Sequence, residues 1–226
     1  MKKPVSVLEF AYEKIKEDIM TGMYNQGEKL SVNKIAESLN ISPTPVKVAL
    51  NRLASEGFIE VVPRHGMVLK KFSVKEIRDM LDVRMMMEMY SAKLAVKNVD
   101  KHPEVVKRMK EIPSLLEKVG NREYVQATKF EQEFHGLFIR LSENDRLVDM
   151  YETLWGVGFT FYVYSMGNFP IARQHEAYSE HVKMYRALLA KNSDELSDLM
   201  ESHMHATIEL LEVLIANDKG NHFKAE

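Results

Sequence analysis

Residues 31–71 constrain the fold of this chain more than any other stretch. The segment SVNKIAESLN has the apolar spacing of a short helix, ISPTPVKVALNRLASEG that of a turn and a second helix, and FIEVVPRHGMVLKK that of two strands around a tight turn. A helix fits the major groove of duplex DNA, and a basic loop beside it can reach the backbone or the minor groove. This order of elements therefore predicts a winged helix-turn-helix.

Capping signals give the boundaries of the helices around this stretch. The apolar spacing in residues 7–22 predicts a first helix, and Ser31 is placed to cap the second. Thr44 followed by Pro45 predicts the start of the third helix, because a hydroxyl caps well and proline suits the first helical position. Gly57 is expected to end that helix.

The apolar period then changes from helical to strand-like. Residues 58–62 and 67–71 are predicted strands, separated by the turn cluster Pro63–Gly66. Ser73 and Glu76 next have the spacing of a capping box that opens a helix. We therefore expect two domains, residues 1–72 for DNA binding and residues 73–226 for effector binding and dimerisation.

The second domain is predicted to be all-helical. From residue 73 onward apolar residues recur at helical intervals, and no segment has the alternation of a strand. Six helices of this length pack as an antiparallel bundle that is large enough to enclose a cavity. The predicted fold class is therefore mainly α, a winged helix-turn-helix followed by an all-α bundle. The predicted helices cover residues 74–98, 103–118, 122–141, 145–166, 175–190 and 193–215.

The distribution of charge, the cysteine content and the lengths of the apolar runs indicate what class of protein this is. Residues 1–75 hold 12 Lys and Arg against 8 Asp and Glu, and the rest of the chain holds 19 against 25. A basic head on an acidic body is expected of a nucleic-acid-binding domain joined to a non-binding one. The absence of cysteine excludes disulfides and thiolate metal sites. Because the chain has neither a signal-peptide core nor an apolar run of the ~20 residues that cross a bilayer, we expect a cytoplasmic protein without a membrane partner.

The third helix and the hairpin carry candidate DNA contacts. Lys47, Asn51 and Arg52 lie on the faces of the helix that its apolar stripe leaves free, and Arg64 lies in the hairpin turn. Side chains of these types donate to phosphate or to base edges. The alternative is that they are ordinary solvated positions on a small helical domain.

Three histidines and one glutamate can be brought together by helix geometry. Glu131 and His135 are four residues apart, so they share one face of a helix. His181 lies 11 residues before Asn192 and His203 lies 11 residues after it, at the short turn between two predicted helices. An antiparallel hairpin at this turn would place the two imidazoles at the same height.

The chemistry of this group suits a metal ion. His203 shares a stripe with leucines, whereas His205 shares one with acidic residues and is expected to face water. Three imidazoles and a carboxylate inside a bundle can bind Zn²⁺, Ni²⁺ or Mn²⁺, with open positions for water or an anionic ligand. The alternative is three separate buried histidines, each satisfied by its own hydrogen bonds.

A run of short motifs spans residues 10–71. It comprises Gly27-Glu28-Lys29-Leu30, Ile35-Ala36-Glu37, Thr44-Pro45-Val46-Lys47, Ala49-Leu50, Leu53, Glu56-Gly57 and Arg64-His65-Gly66. This run resembles the winged-helix head of GntR-family bacterial regulators. Pro43 departs from the family, which usually has an arginine there, so a base-reading donor is missing. The resemblance implies operator contacts by Asn33, Ser42, Thr44 and Lys47, and entry into the minor groove by His65 and Gly66.

The second domain carries its own set of motifs, which includes the histidines. They are Glu131-x-x-Phe134-His135, Glu180-His181 and Met200-x-x-His203. This set resembles the FCD effector domain that follows many GntR heads. The resemblance implies a metal held by one carboxylate and three histidines, with Glu131 standing where metal-binding members have aspartate. It also implies that the domain senses a small carboxylate, whose acid group the metal binds.

Arg84 and Glu88 allow two interpretations. They are four residues apart on a predicted helix, which favours a plain surface salt bridge. Arg84 also resembles the arginine of the R-x-x-x-E start of the FCD domain. That resemblance implies that Arg84 faces the cavity and meets the carboxylate of an effector.

Two classes of function agree with these patterns. The first is a ligand-responsive transcription regulator, expected to be a repressor and a homodimer whose two reading helices meet a pseudo-palindromic operator on double-stranded DNA. Its effector pocket either contains the metal or lacks it and relies on Arg84 and aromatic residues. The second is a metal-dependent enzyme with Glu133 or His175 as general base. We do not expect an enzyme, because the chain has no Gly-rich phosphate loop and no nucleophile motif.

Overall fold

The chain divides into two units, and the division falls between Phe72 and Ser73. The computed structural model describes residues 6–119, 123–168 and 170–217. Ser73 begins the first helix of the larger unit with the predicted capping box. Its hydroxyl accepts from the backbone N–H of Glu76, and the Glu76 carboxylate accepts from the backbone N–H of Ser73.

The smaller unit is built on the apolar stripes of its first and third helices. Ile15 from the first helix and Leu50 and Leu53 from the third are fully buried. The two strands pair antiparallel, with Ile59 opposite Leu69. The described elements are α1 (Val7–Met20), α2 (Val32–Ser38), α3 (Pro43–Ser55), β1 (Ile59–Val62) and β2 (Gly66–Leu69).

Helix α3 begins two residues earlier than its sequence predicts. Ser42 is the N-cap residue with extended backbone angles, and Pro43 occupies the first turn. The predicted cap Thr44 is therefore already helical. Pro45 is tolerated beside it because the first backbone N–H groups of a helix have no intrahelical acceptor. With two candidate prolines, the sequence alone did not separate these two starts.

The hairpin tip is a tight turn with one residue in the left-handed region. The backbone N–H of His65 donates to the carbonyl of Val62 at 3.1 Å, and Arg64 has a φ of 65°. A proline at the second position and a positive φ at the third position are the features of a type II turn. The wing is also tied to the preceding loop, since Leu30 donates to the carbonyl of Met67 at 2.8 Å.

The described part of the larger unit is all-helical, as predicted. Its helices are α4 (Val74–Asn98), α5 (Pro103–Lys118), α6 (Tyr124–Arg140), α7 (Asp145–Asn168), α8 (Ile171–Leu189) and α9 (Ser193–Asn217), with a short 3₁₀ turn at Val99–Lys101. Helix α8 starts at Ile171, earlier than the predicted residue 175. Pro170 precedes it as the N-cap residue and leaves the first turn free to form directly after it.

The core of the larger unit lies between α4, α5, α6, α8 and α9. Phe134 and Phe138 from α6, Met184 and Leu188 from α8, and Met200 from α9 have no exposed surface. Helices α4 and α9 pack along each other, and α8 packs on α9 as the predicted hairpin. Among the described helices, none combines the length and the apolar character needed to cross a bilayer.

Candidate metal centre and nucleic-acid interface

The predicted DNA contacts all lie on the surface of the smaller unit. Helix α3 buries Val46 and Leu50, which turns Lys47 and Asn51 outward. The candidate residues are all exposed, and they come from α2, from α3 with its N-cap, and from the wing: Asn33, Ser42, Thr44, Lys47, Asn51, Arg52, Arg64, His65 and Gly66. A convex helix face with an adjacent basic hairpin has the shape that groove binding requires.

The side chain of Arg52 contacts other residues of the smaller unit. Its guanidinium stacks on the ring of Tyr12 at 3.7 Å, and it donates to Glu56 at 3.1 Å and to Glu9 at 3.2 Å. These contacts tie α3 to α1, a structural role that the sequence did not indicate. An operator contact by Arg52 stays a prediction, and it would compete with these partners.

Val48 is a surface residue that the sequence analysis missed. It lies beside Lys47 on α3 and is 45% exposed. The available signal was an apolar side chain outside the buried stripe of a helix. An exposed apolar side chain on a groove-facing helix can contact the methyl group of thymine.

The structure brings the four predicted ligands together. Glu131 and His135 come from α6, His181 from α8 and His203 from α9, and each offers a ligand atom within 4.8 Å of the others. Glu131 Oε2 lies 3.4 Å from His181 Nε2 and 3.8 Å from His135 Nε2. The three imidazole rings are 5.0–5.2 Å apart between centroids. All four side chains are buried.

Two carboxylates orient the outer histidines of this cluster. Nδ1 of His135 lies 2.8 Å from Glu88, and Nδ1 of His203 lies 2.7 Å from Glu180. An ionised carboxylate can only accept, so each Nδ1 carries the proton and each Nε2 presents a lone pair. This role of Glu88 and Glu180 is typical of residues that support metal ligands, and no spacing in the sequence indicated it.

The Arg84–Glu88 pair is buried, so the prediction of a surface salt bridge was wrong. Arg84 donates to Glu88 at 2.7 Å with both side chains enclosed, and its guanidinium stacks on Trp155 at 4.5 Å. Tyr151 also donates to Glu88. Burial by itself would raise the pKa of Glu88, but Arg84 and His135 outweigh it and hold that pKa below its ordinary range.

Burial keeps the histidines of the cluster neutral. It lowers the pKa of His135 to about 4, although Glu88 opposes the shift. It lowers the pKa of His181 well below the ordinary value, helped by its His203 neighbour, and it also lowers the pKa of His203. Neutral imidazole is the form that binds a metal.

The pKa of Glu131 is shifted upward, in the opposite direction to those of the histidines. Burial raises the pKa of its carboxyl to about 7, with Arg84 and Arg173 partly offsetting the rise. A carboxyl with this pKa exchanges its proton for a metal ion near neutral pH.

Several buried polar atoms of the cluster lack a hydrogen-bond partner among the described residues. They are Glu131 Oε1, His135 Nε2, and both Nδ1 and Nε2 of His181. The alternative of separately satisfied histidines is therefore wrong for His181. A divalent ion between the Nε2 atoms and the carboxylate would satisfy most of this set, so the residues present fit a metal.

Other polar residues of the larger unit lie outside the cluster. His205 is exposed, as its acidic stripe predicted. Glu133, a candidate general base, accepts from Arg108 at 2.6 and 2.7 Å, and His175, the other candidate, is exposed. Neither residue is enclosed with the histidines, which removes the support for an enzyme base at this site.

Two family models match the chain. The bacterial regulatory proteins of the gntR family match residues 8–69, and the FCD domain matches residues 79–206. The chain belongs to the GntR family of bacterial transcriptional regulators. The family predicted from the motifs is confirmed, and the larger unit of this GntR regulator is an FCD domain.

Individual relatives agree with this assignment. The gluconate operon transcriptional repressor of Bacillus subtilis (strain 168) is 30% identical over 219 residues, which cover 89% of this chain and 87% of the repressor. The uncharacterised HTH-type transcriptional regulator YdhC of the same organism is 21% identical over 98% of each chain. The solved structure of E. coli McbR/YncC superposes with a TM-score of 0.79 at 22% identity, covering 93% of this chain and 99% of that one. This likeness confirms the predicted fold.

Proposed function

We propose that this GntR regulator binds a pseudo-palindromic operator as a homodimer and that a small carboxylate, bound at a metal held by the larger unit, changes its affinity for that operator. The observation that carries the proposal is the buried cluster of Glu131, His135, His181 and His203 with unpartnered ligand atoms. We further propose that it acts as a repressor in the cytoplasm, in line with its relative that is named as the repressor of an operon.

The DNA-binding part of the proposal is supported by the surface of the smaller unit. Lys47 and Asn51 on α3 and Arg64 on the wing present donors to solvent. A helix and a hairpin on one small domain can contact the major groove and the adjacent backbone together. Two such domains related by two-fold symmetry would meet two half-sites, which is why we propose a pseudo-palindrome.

The metal part of the proposal rests on the donor set. Glu131, His135, His181 and His203 would hold the ion, and Zn²⁺, Ni²⁺ and Mn²⁺ all accept such ligands. When bound, the ion supplies a positive charge that attracts an anionic ligand. Glu88 and Glu180 keep the Nε2 atoms of two histidines directed at the cluster.

The charges around the cluster favour a carboxylate effector. Arg84 and Arg173 face three glutamates, at positions 88, 131 and 180, so the group has a net charge of −1 when all are ionised and the histidines are neutral. A divalent ion changes this balance to +1, and one carboxylate then neutralises it. A buried site favours this neutral state, since uncompensated buried charge is costly.

The coupling between effector and operator is expected to be modest. A ligand that favours one arrangement of the dimer changes operator affinity by a free energy of roughly 1–3 kcal/mol. The change need involve no new contact between effector and DNA, because both sites bias the same equilibrium.

Metal analysis of protein purified without an affinity tag tests the site directly. We expect about one divalent ion per chain in the wild type and loss of that ion in His181→Ala. Calorimetry then compares gluconate with the uncharged polyol sorbitol on zinc-loaded protein, where the proposal requires a metal-dependent preference for carboxylates over neutral polyols. Binding of carboxylates with equal affinity to metal-free protein would favour instead the effector pocket without a metal, which relies on Arg84 and aromatic residues.

A further inference from the structure

The exposed face of α3 has cationic edges and an uncharged centre. Successive residues of an α-helix are rotated by about 100°, so the exposed residues Thr44, Val48 and Asn51 fall within roughly 60° of one another around the axis. Lys47 lies at one edge of this face and Arg52 at the other. Helix α3 carries these two cations and no acidic residue, a charge pattern that favours a polyanion such as DNA as its partner.

Val48 is the apolar residue at the centre of this face. It is 45% exposed and does not belong to the buried stripe, which consists of Val46, Ala49, Leu50 and Leu53. A β-branched side chain in a helix is held mainly in one rotamer, so the methyl groups of Val48 have fixed positions before a partner binds. A side chain that is already ordered loses little conformational entropy on binding. Val48 is therefore suited to recognition and is not needed for the core.

No free hydrogen-bond donor lies beside Val48 on one side of the helix. Residues three and four positions apart are neighbours on a helix surface. On this side the neighbours are Pro45, whose side chain has no donor, and Arg52, whose guanidinium stacks on Tyr12 and donates to two glutamates. A base edge that lies against Val48 is therefore recognised there by apolar contact.

The major groove offers one apolar group to such a contact. Of the groups that base pairs present there, only the C5 methyl group of thymine is apolar, and the others are hydrogen-bond donors or acceptors. Covering a donor or acceptor with Val48 would remove it from water without a new partner, which is unfavourable. The side chain thus favours thymine by attraction and disfavours the other bases by exclusion of water.

We propose that Val48 determines sequence specificity by packing against the C5 methyl group of one thymine for each α3 helix bound in the major groove. The inference rests on the DNA binding of the proposed function and specifies which base chemistry that binding selects. It depends neither on the metal nor on the dimer. A valine that is merely solvated would be indifferent to the methyl group, so the two interpretations can be separated by experiment.

Replacement of single thymines tests the contact. The duplex is the site recovered by selection of genomic fragments with the full chain. Each thymine is replaced in turn by deoxyuridine, which removes the methyl group and keeps the base pair and its hydrogen-bonding groups. We expect one replacement in a half-site to weaken binding about fourfold, the effect of one buried methyl-sized group, and replacement in both half-sites to weaken it about 15-fold. Fluorescence anisotropy measures these affinities.

Variants of the protein assign the methyl contact to a residue. Val48→Ala retains the helix, because alanine is a strong helix former, and should bind the thymine and uracil duplexes with equal affinity. Lys47→Ala should weaken binding to both duplexes by the same factor and so keep the fourfold preference for thymine. Val213→Ala changes a valine on α9 that is 55% exposed, and as the matched control it should bind both duplexes like the wild type.

Methylated cytosine provides a second measurement that does not involve uracil. Replacing the same T·A pair by C·G should weaken binding of the wild type, because an amino group then lies against Val48. 5-Methylcytosine at that position returns a methyl group to the C5 atom. It should bind the wild type about fourfold more tightly than unmodified cytosine and should give no gain in Val48→Ala.

The outcomes separate this inference from the proposed function. Equal affinity of the wild type for the thymine and uracil duplexes at every position would overturn the methyl contact while leaving operator binding in place. A position that stays sensitive to uracil in Val48→Ala would assign the contact to another residue and overturn the role of Val48. Recovery of no specific fragment by the wild-type chain would overturn operator binding and this inference together.

Discussion

The two units of this GntR regulator place their polar chemistry in opposite environments. The candidate DNA contacts of the smaller unit, such as Lys47 and Asn51, are all exposed, whereas His135, His181 and Glu88 of the larger unit are buried. Exposed polar groups interact mainly with water and contribute little to folding. Buried ones depend on their partners, because a group left unpaired keeps the full cost of desolvation. Substitutions of these residues in the smaller unit should therefore change DNA binding without changing the free energy of unfolding, whereas substitutions in the buried network of the larger unit should change both ligand binding and stability.

Removing one charge from the buried network should produce the largest effect. Glu88→Gln leaves Arg84 enclosed without its counter-charge, and we expect a loss of about 3–5 kcal/mol in unfolding free energy. Denaturant titration followed by fluorescence of Trp155, the single tryptophan, reports on the larger unit. The matched control is Glu212→Gln, whose partner Arg78 is exposed, and it should cost less than about 1 kcal/mol. Equal losses of unfolding free energy in the two variants would show that the buried pair contributes no more to stability than the exposed one.

Metal binding should stabilise the larger unit through the cluster alone. Zinc at about one hundred times its dissociation constant should add about 2.7 kcal/mol to the unfolding free energy. His203→Ala should abolish this increment, and His205→Ala, two residues along the same helix but exposed, should keep it. The measurement is the unfolding midpoint with zinc and with a chelator. A zinc increment that survives in His203→Ala would exclude the proposed ligand set.

The pH dependence of zinc affinity tests whether Glu131 binds the ion as a carboxylate. Burial raises the pKa of this carboxyl to about 7, so below that pH one proton must leave for each ion bound. We expect affinity to fall about tenfold per pH unit below 7 and to level off above it. The histidines add little, because the pKa of His135 is lowered to about 4. The stability of metal-free protein should depend on pH in the opposite direction to zinc affinity. Because the pKa of Glu131 is raised in the folded state, protonation of this carboxyl stabilises the fold at low pH, and this contribution is lost as pH rises through 7.

Calorimetric titration of zinc from about pH 5.5 to about pH 8.5, which spans roughly three pH units around the pKa of Glu131, measures this dependence. Glu131→Gln, which cannot ionise, should bind more weakly and lose the slope. A wild-type slope equal to that of Glu131→Gln would show that another group releases the proton.

The smallest effect is expected on the surface of the smaller unit. Lys47→Ala should weaken operator binding by about 1 kcal/mol and, if Lys47 contacts phosphate, reduce the salt slope by about one. Its unfolding free energy should stay within about 0.5 kcal/mol of the wild type. Fluorescence anisotropy at several salt concentrations measures the first two quantities, with Lys110→Ala as the control. Unchanged affinity in Lys47→Ala would remove this residue from the interface.

Local signals predicted much of the fold and the clustering of Glu131, His135, His181 and His203. The winged helix-turn-helix follows from apolar periods and turn residues, and the cluster follows from the four-residue step between Glu131 and His135 and the symmetric offsets of His181 and His203 from the α8–α9 turn. Both features depend only on local helix geometry and on one short connection between helices, which the sequence specifies.

The remaining features depend on contacts between distant segments. Arg84 and Glu88 are charged and four apart, a pattern typical of a surface pair, and only packing against α6 and α7 shows that they are buried. The start of α3 was missed because Pro43 and Pro45 both suit a first turn. The contacts of Arg52 within its own domain were missed because its stacking partner Tyr12 is 40 positions earlier in the chain.

The proposed function requires that the exposed face of α3 and the wing recognise specific double-stranded DNA. Selection of genomic fragments by purified protein, with zinc present and with gluconate present or absent, tests it most directly. We predict enrichment of fragments that share a two-fold-related site, a weaker enrichment in Lys47→Ala, and a change in occupancy when gluconate or another short carboxylate is added. A wild-type protein that prefers no fragment under any of these conditions would rule out the proposed recognition of DNA.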